Sequence, residues 1–353
     1  MTQAQLATAV SLDRSALAKV ENGLRRLSAI ELARIADALD ARIEWFVVDP
    51  PPSVVAHRNQ QDPGTEDSSI DRLIEKVARH VEFVARHDDR WALAEPAHRL
   101  ARPESPQLME DRARQARSML GLGAGEPLVN AAVRLASVGL LTFSFDLGVN
   151  AADAASILLA TGGTAVVNGH LKVGRRRLAQ VHELGHYLFA DDYAVDWRIA
   201  SHDDDAAWES QLDRFARAVL LPPAGIGALW AEMRDRGDDL RTAAVKLGSV
   251  FGVDMATLAR RLRELGHVGP SDASAIRAVR TTRADIVEFD LVVNDDFAAP
   301  FLPRQYEEAV LRLYRTETVS AARATDLLFD AWAEEDLPEL GPLPESAIWK
   351  FVS

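Results

Sequence analysis

Apolar positions recur at helical spacing through most of this chain and give way to alternation only near its middle. Residues 1–48 are rich in Ala and Leu, hold no proline and follow the helical period throughout. Asp49-Pro50-Pro51-Pro52 then stops any helix and opens a polar stretch to about Ser69, which reads as a linker. From Ile70 a new helix is predicted, with Ile70, Leu73, Ile74, Val77, Val81 and Val84 on one face. A second covers Gln107–Leu120 and ends at the glycine-rich run 121–125. Leu128–Val138 reads as helix, and Leu140–Phe145, Ser156–Ala160 and Thr164–Val167 read as three strands. Helices follow at about Arg175–Phe189, Ala206–Leu221, Gly225–Arg236, Leu240–Phe251 and Met255–Leu265. Past the boundary Gly269-Pro270-Ser271 come a strand candidate, Asp285–Val293, and helices at Gln305–Tyr314 and Ala321–Trp332. The pattern predicts a mainly helical α+β fold with a small three-stranded sheet and a C-terminal α/β extension. Its segments are 1–48, a linker 49–69, a central domain 70–270 and a C-terminal domain 271–353 of unknown role.

Composition narrows the setting. The 353 residues exceed one small core, and 48% hydrophobic with 26% charged residues is ordinary for a globular protein. The longest apolar-looking stretch, Leu128–Leu147, is interrupted by Asn130, Arg134 and Asp146, so no membrane span is expected. The chain has no cysteine, which excludes disulfides and thiolate-held metal and fits a cytoplasmic location. A net charge of −13 argues against a surface that coats nucleic acid, but not against a small, locally balanced DNA-reading module.

The chemistry concentrates at His182-Glu183-Leu184-Gly185-His186. Two histidines four apart share one helix face and can point at a single ion, and Glu183 can reach a water on that ion without ligating it. This spacing suits a zinc site in which Glu183 takes the water's proton and later passes one to a leaving amine. The same pair also suits packed histidines, or a structural metal with four protein ligands. A catalytic zinc needs a third ligand. Glu209 supplies a carboxylate from the next helix, while His202 and the acidic loop Asp203–Asp205 are rival sources. Asp213 shares a face with Glu209 and can accept a hydrogen bond from the non-ligating nitrogen of one histidine. Tyr193 and His202 are the candidate oxyanion donors.

These residues resemble a known family. Ala165-Val166-Val167-Asn168-Gly169, Gly174-Arg175-Arg176-Arg177, His182 to Phe189, and the helix from Glu209 through Phe215-Ala216 to Leu220-Leu221-Pro222 are similar to the ImmA/IrrE family of bacterial zinc metallopeptidases. The downstream pair around Phe251-Gly252-Val253 and Arg260-Arg261-Leu262 resembles it too. The resemblance implies a zincin-like domain with Zn²⁺ held by His182, His186 and Glu209, with Glu183 catalytic. The family's usual Ala-Asn pair is Leu212-Asp213 here, so the supporting role of Asp213 is an inference from spacing.

Residues 2–48 resemble a Cro/CI (XRE)-type helix-turn-helix. Thr2 to Ala7 matches its second helix, and Asp13 would cap a recognition helix over Arg14–Glu21, ended by Asn22-Gly23. By that geometry Arg14, Ser15 and Lys19 face base edges, and Gln3 and Arg25 face the backbone. The fold's first helix would precede Thr2, so the start is truncated or the module lacks part of its core. Six basic residues there are balanced by six acidic ones, which also suits a module kept for protein contacts or dimerisation.

Together these implications describe a cytoplasmic zinc endopeptidase coupled to transcriptional regulation, cleaving a protein regulator such as a helix-turn-helix repressor. The alternative is a DNA-binding regulator, or the antitoxin of a toxin–antitoxin pair, whose zinc domain senses or binds a partner. The expected partners are a repressor or toxin protein, DNA through the N-terminal module, and a second copy in a homodimer; no membrane is expected.

Overall fold

The computed structural model describes residues 3–21, 23–38, 55–58, 68–95, 99–149, 151–189, 202–291 and 295–340. The chain divides into two compact units, Met1–Ser53 and Val54–Ser353.

The first unit has three described helices, α1 (Gln3–Ala9), α2 (Arg14–Glu21) and α3 (Ala29–Ala38). Their apolar faces meet at Ala7, Val10, Leu17 and Ile35. Gly23, at φ +69°, takes the left-handed conformation that ends α2, as the Asn22-Gly23 signal predicts.

The second unit begins with β1 (Val55–Arg58) and α4 (Ser68–His87), followed by α5 (Pro106–Met119) and α6 (Ala131–Ser137). Three strands come next: β2 (Leu140–Phe145), β3 (Ala154–Leu158) and β4 (Gly163–Asn168). Helices α7 (Val173–Leu188), α8 (His202–Leu220), α9 (Pro223–Asp235), α10 (Leu240–Phe251) and α11 (Met255–Glu264) follow. The chain continues through α12 (Pro270–Ala278), α13 (Arg283–Glu288), α14 (Arg304–Arg315) and α15 (Ala321–Leu327).

The sheet has the order β1-β3-β4-β2, with β2 parallel to β4 and the other pairs antiparallel. Strands β2, β3 and β4 are covered on both faces, which is why they read as nearly continuous apolar runs. Ala155, Ile157, Val166, Leu141 and Phe143 face a core built with α4, α14 and α15. Leu140 and Ala165 join the larger core of α5 to α12, and Ala154 and Val167 pack with Ala179 of α7. Among the described residues no single helix is long and apolar enough to cross a membrane.

Three sequence expectations change. Val55–Arg58, inside the expected linker, forms a strand on the edge of the three expected ones. Its short length and proline-rich, polar flanks hide it from any periodicity test. The expected strand Asp285–Val293 is instead helical over α13; Thr282 and Asp285 form a reciprocal capping box that starts the helix, and local capping prevails over β-branched content. Asp203–Asp205, expected as a loop, lie in the first turns of α8. The segment beyond Ser271 shares the second unit's cores, with Ile276 in one and Tyr306, Val310 and Leu327 in the other.

Candidate metal centre

Helix α7 is buried along nearly its whole length, including every residue from Arg176 to Leu188. Three consecutive arginines secure its start. Arg175 grips Asp153 through two bonds of 2.8 Å. Arg176 donates to the Gly169 carbonyl at 3.0 Å and pairs with Asp295, and Arg177 pairs with Asp296 at 2.8 Å and donates to the Leu128 carbonyl. Each basic side chain therefore meets a carboxylate, which a buried guanidinium requires.

The other half of α7 carries His182, Glu183 and His186. Gly185, between the two histidines, lets α8 come close: a Cβ there would meet Leu212 Cδ2 at 2.9 Å and Phe215 Cδ1 at 3.1 Å. That approach brings the α8 carboxylates to the histidines. His182 Nε2 lies 2.9 Å from Glu209 Oε2, His186 Nε2 lies 3.4 Å from Glu209 Oε1, and the two Nε2 atoms are 3.2 Å apart. One candidate ligand atom from each of the three residues lies within 4.8 Å of the others.

The chemistry of this donor set fits a cation. His182 Nδ1 is 3.0 Å from Asp213 Oδ1, so the neutral tautomer that donates from Nδ1 to this carboxylate has its Nε2 lone pair left for an ion. That lone pair then faces a second imidazole nitrogen and a carboxylate oxygen, an arrangement that a metal ion relieves. Burial alone would raise the carboxyl pKa of Glu209, but His186 and His182 in their protonated forms, through charge and hydrogen bonds, bring it well below the ordinary value.

Glu183 is completely buried. Ser156 of β3 donates to its Oε2 at 2.5 Å, and its Oε1 has no hydrogen-bond partner among the described residues. A buried carboxylate oxygen left open is costly in a structural core and useful beside a reacting water. Ser156 escaped the sequence reading, and its one signal is that it is the sole polar residue of β3.

The other expected site residues divide. Glu209 and Asp213, both on α8, lie beside His182. His202 opens α8 directly before Asp203–Asp205, with the side chains of 202–206 outside the described ones, and Tyr193 lies outside the described residues. In the N-terminal unit Arg14, Ser15 and Lys19 are exposed on α2. Gln3 donates to Glu21 at 2.6 Å, and Arg25 is tied to Glu31 at 2.7 Å.

Asp213 offers a clean test. Removing a carboxylate that orients a metal-binding histidine lowers metal affinity about 10–100-fold. Asp213→Ala is expected to lose zinc by that factor in a competition titration with a chromophoric chelator, and an unchanged affinity would show that His182 needs no such support.

Comparison with known proteins agrees with this geometry. Residues 1–46 match the helix-turn-helix family model, and residues 136–263 match the model of the IrrE N-terminal-like domain, peptidase family M78. No curated protein and no solved structure matches the chain. The matched domain runs from the end of α6 to α11 and so contains β2 to β4 and all the residues of the candidate centre. The chain is a fusion of an N-terminal helix-turn-helix with a metallopeptidase-like domain of the IrrE type.

Proposed function

We propose that the protein is a zinc-dependent endopeptidase that acts on a protein regulator, with a helix-turn-helix repressor as the substrate class. The observation that carries this reading is the convergence of His182, His186 and Glu209 beside a buried Glu183 with an open oxygen. When bound, zinc supplies Lewis acidity, bringing a coordinated water to a pKa of about 7 and polarising a carbonyl oxygen. His182, His186 and Glu209 are the ligands in this reading. Glu183 accepts the water's proton and returns one to the departing amine nitrogen. Ser156 keeps Oε2 of Glu183 occupied, so the open Oε1 is the one that exchanges protons. Asp213 holds His182 in the tautomer that ligates.

The fused module supports coupling to transcription in the cytoplasm, because Arg14, Ser15 and Lys19 stand exposed on α2 for contact with base edges. The same observation favours a second reading, a DNA-binding regulator or antitoxin, active as a homodimer, whose metal domain receives a partner or toxin.

The test co-incubates the purified full chain with a panel of purified helix-turn-helix repressors. Cleavage is expected to stop when EDTA removes the metal and to return when zinc is restored. Cleavage indifferent to the chelator would sink the endopeptidase reading, and sequence-specific DNA binding without any cleavage would favour the second.

A further inference from the structure

Strand β3 is the element that links the sheet to the candidate centre, because its Ser156 holds Glu183. One edge of β3 pairs with β4 and the other with β1, which has no further strand partner among the described residues. The register sets Val55 against Ile157, Ala56 against Ser156, His57 against Ala155 and Arg58 against Ala154. The residue level with Ser156 is thus in the middle of β1, and β1 also lies close to α7, the helix of His182 and Glu183.

An endopeptidase must hold its substrate extended, and an exposed sheet edge does this by adding the peptide as a further strand. Here the edge of β3 not paired with β4 is already taken by four residues of the chain itself. A four-residue pairing is weak in isolation. Tethering compensates, since a segment on a short linker competes at an effective concentration of about millimolar. We infer that β1 is an internal occupant of the substrate's place: Val55–Arg58 holds the edge of β3 at rest and must leave before an extended peptide can reach Glu183. This inference rests on the endopeptidase reading, which supplies the need for an extended substrate.

The absence of cysteine makes the test direct. His57→Cys with Ala155→Cys introduces the only two thiols, at opposed positions of an antiparallel pair, about 4.5–5.5 Å apart at Cα and within disulfide reach. Arg58→Cys with Ala154→Cys repeats the lock at the adjacent pair, so one of the two sits at the closer, non-hydrogen-bonded type of position. Two readouts are taken on the zinc-loaded full chain, oxidised and then reduced with a phosphine: hydrolysis of β-casein, and calorimetric affinity for the hydroxamate of Pro-Leu-Gly.

Locking is expected to weaken both by about tenfold or more, reversibly, since it removes the escape that the tether alone permits. Both readouts unchanged by the lock would overturn the inference while leaving the peptidase reading intact. Failure of both pairs to oxidise would overturn it at the level of the pairing itself. If no form cleaves casein yet the lock still weakens the hydroxamate, the occupied edge stands and the peptidase reading falls.

Discussion

Replacing Glu183 with glutamine is expected to lower the turnover of a cleaved partner by about 10²–10⁴-fold, the range that a positioned general base contributes. The substitution conserves volume at a completely buried position, so it opens no cavity in α7. Ser156 can still donate to the amide oxygen as it does to Oε2. The ligand residues are untouched, and zinc content by mass spectrometry should equal that of the parent chain. Only the capacity to take a proton is lost, because an amide side chain is not basic. Full metal with undiminished turnover would remove Glu183 from the mechanism. Lost metal would assign it a part in holding the site together.

The second large effect concerns stability. Arg261 of α11 is fully buried, grips both oxygens of Glu110 at 2.6 and 2.8 Å, and donates to the Leu221 carbonyl at 2.9 Å. Removing one partner of such a pair leaves an uncompensated charge inside the protein, and Arg261→Ala is expected to cost about 3–5 kcal/mol. Replacing both partners, Arg261→Met with Glu110→Leu, should recover most of that loss, because the desolvation penalty disappears with the charges. Denaturant unfolding of the three chains measures this; a single variant that costs no more than the double one would show the pair to be screened by water. The effect also depends on pH. Burial by itself raises the Glu110 carboxyl, but Arg261 and nearby arginines bring it below the ordinary value. Its contribution is therefore present at neutral pH and lost as pH falls through the depressed pKa. In Arg261→Ala the burial persists without its main counter-charge. The carboxylate is then destabilising at neutral pH and neutralises on acidification, so the gap between the two chains should narrow as pH falls.

How far the sequence discloses this molecule depends on how local each signal is. His182, Glu183 and His186 are four residues or fewer apart on one helix, so helical geometry alone brings them together. Glu209 and Asp213 repeat that spacing on the next helix, and their meeting with the histidines depends on the close approach at Gly185. Gly185 shows in the sequence only as a glycine within a helix, a feature that propensity would count against it. Ser156 comes from a strand paired in a register that no local pattern displays. The strand Val55–Arg58 is invisible for a stronger reason: four residues carry too little periodicity, and β3 rather than any intrinsic preference makes them a strand. The strand expected at Asp285–Val293 failed in the other direction, since Thr282 and Asp285 close a capping box that starts a helix.

The three arginines at the start of α7 have a thermodynamic consequence. Together with a helix buried from Arg176 to Leu188, they make the order of the histidine-bearing element a property of the polypeptide itself. In small zinc-dependent domains the free energy of metal binding is also the free energy of folding, and the chain unfolds when the ion leaves. Here α7 has a second source of order: its apolar packing and the ion pairs of Arg175, Arg176 and Arg177 do not involve the histidines, so they contribute to the helix independently of coordination.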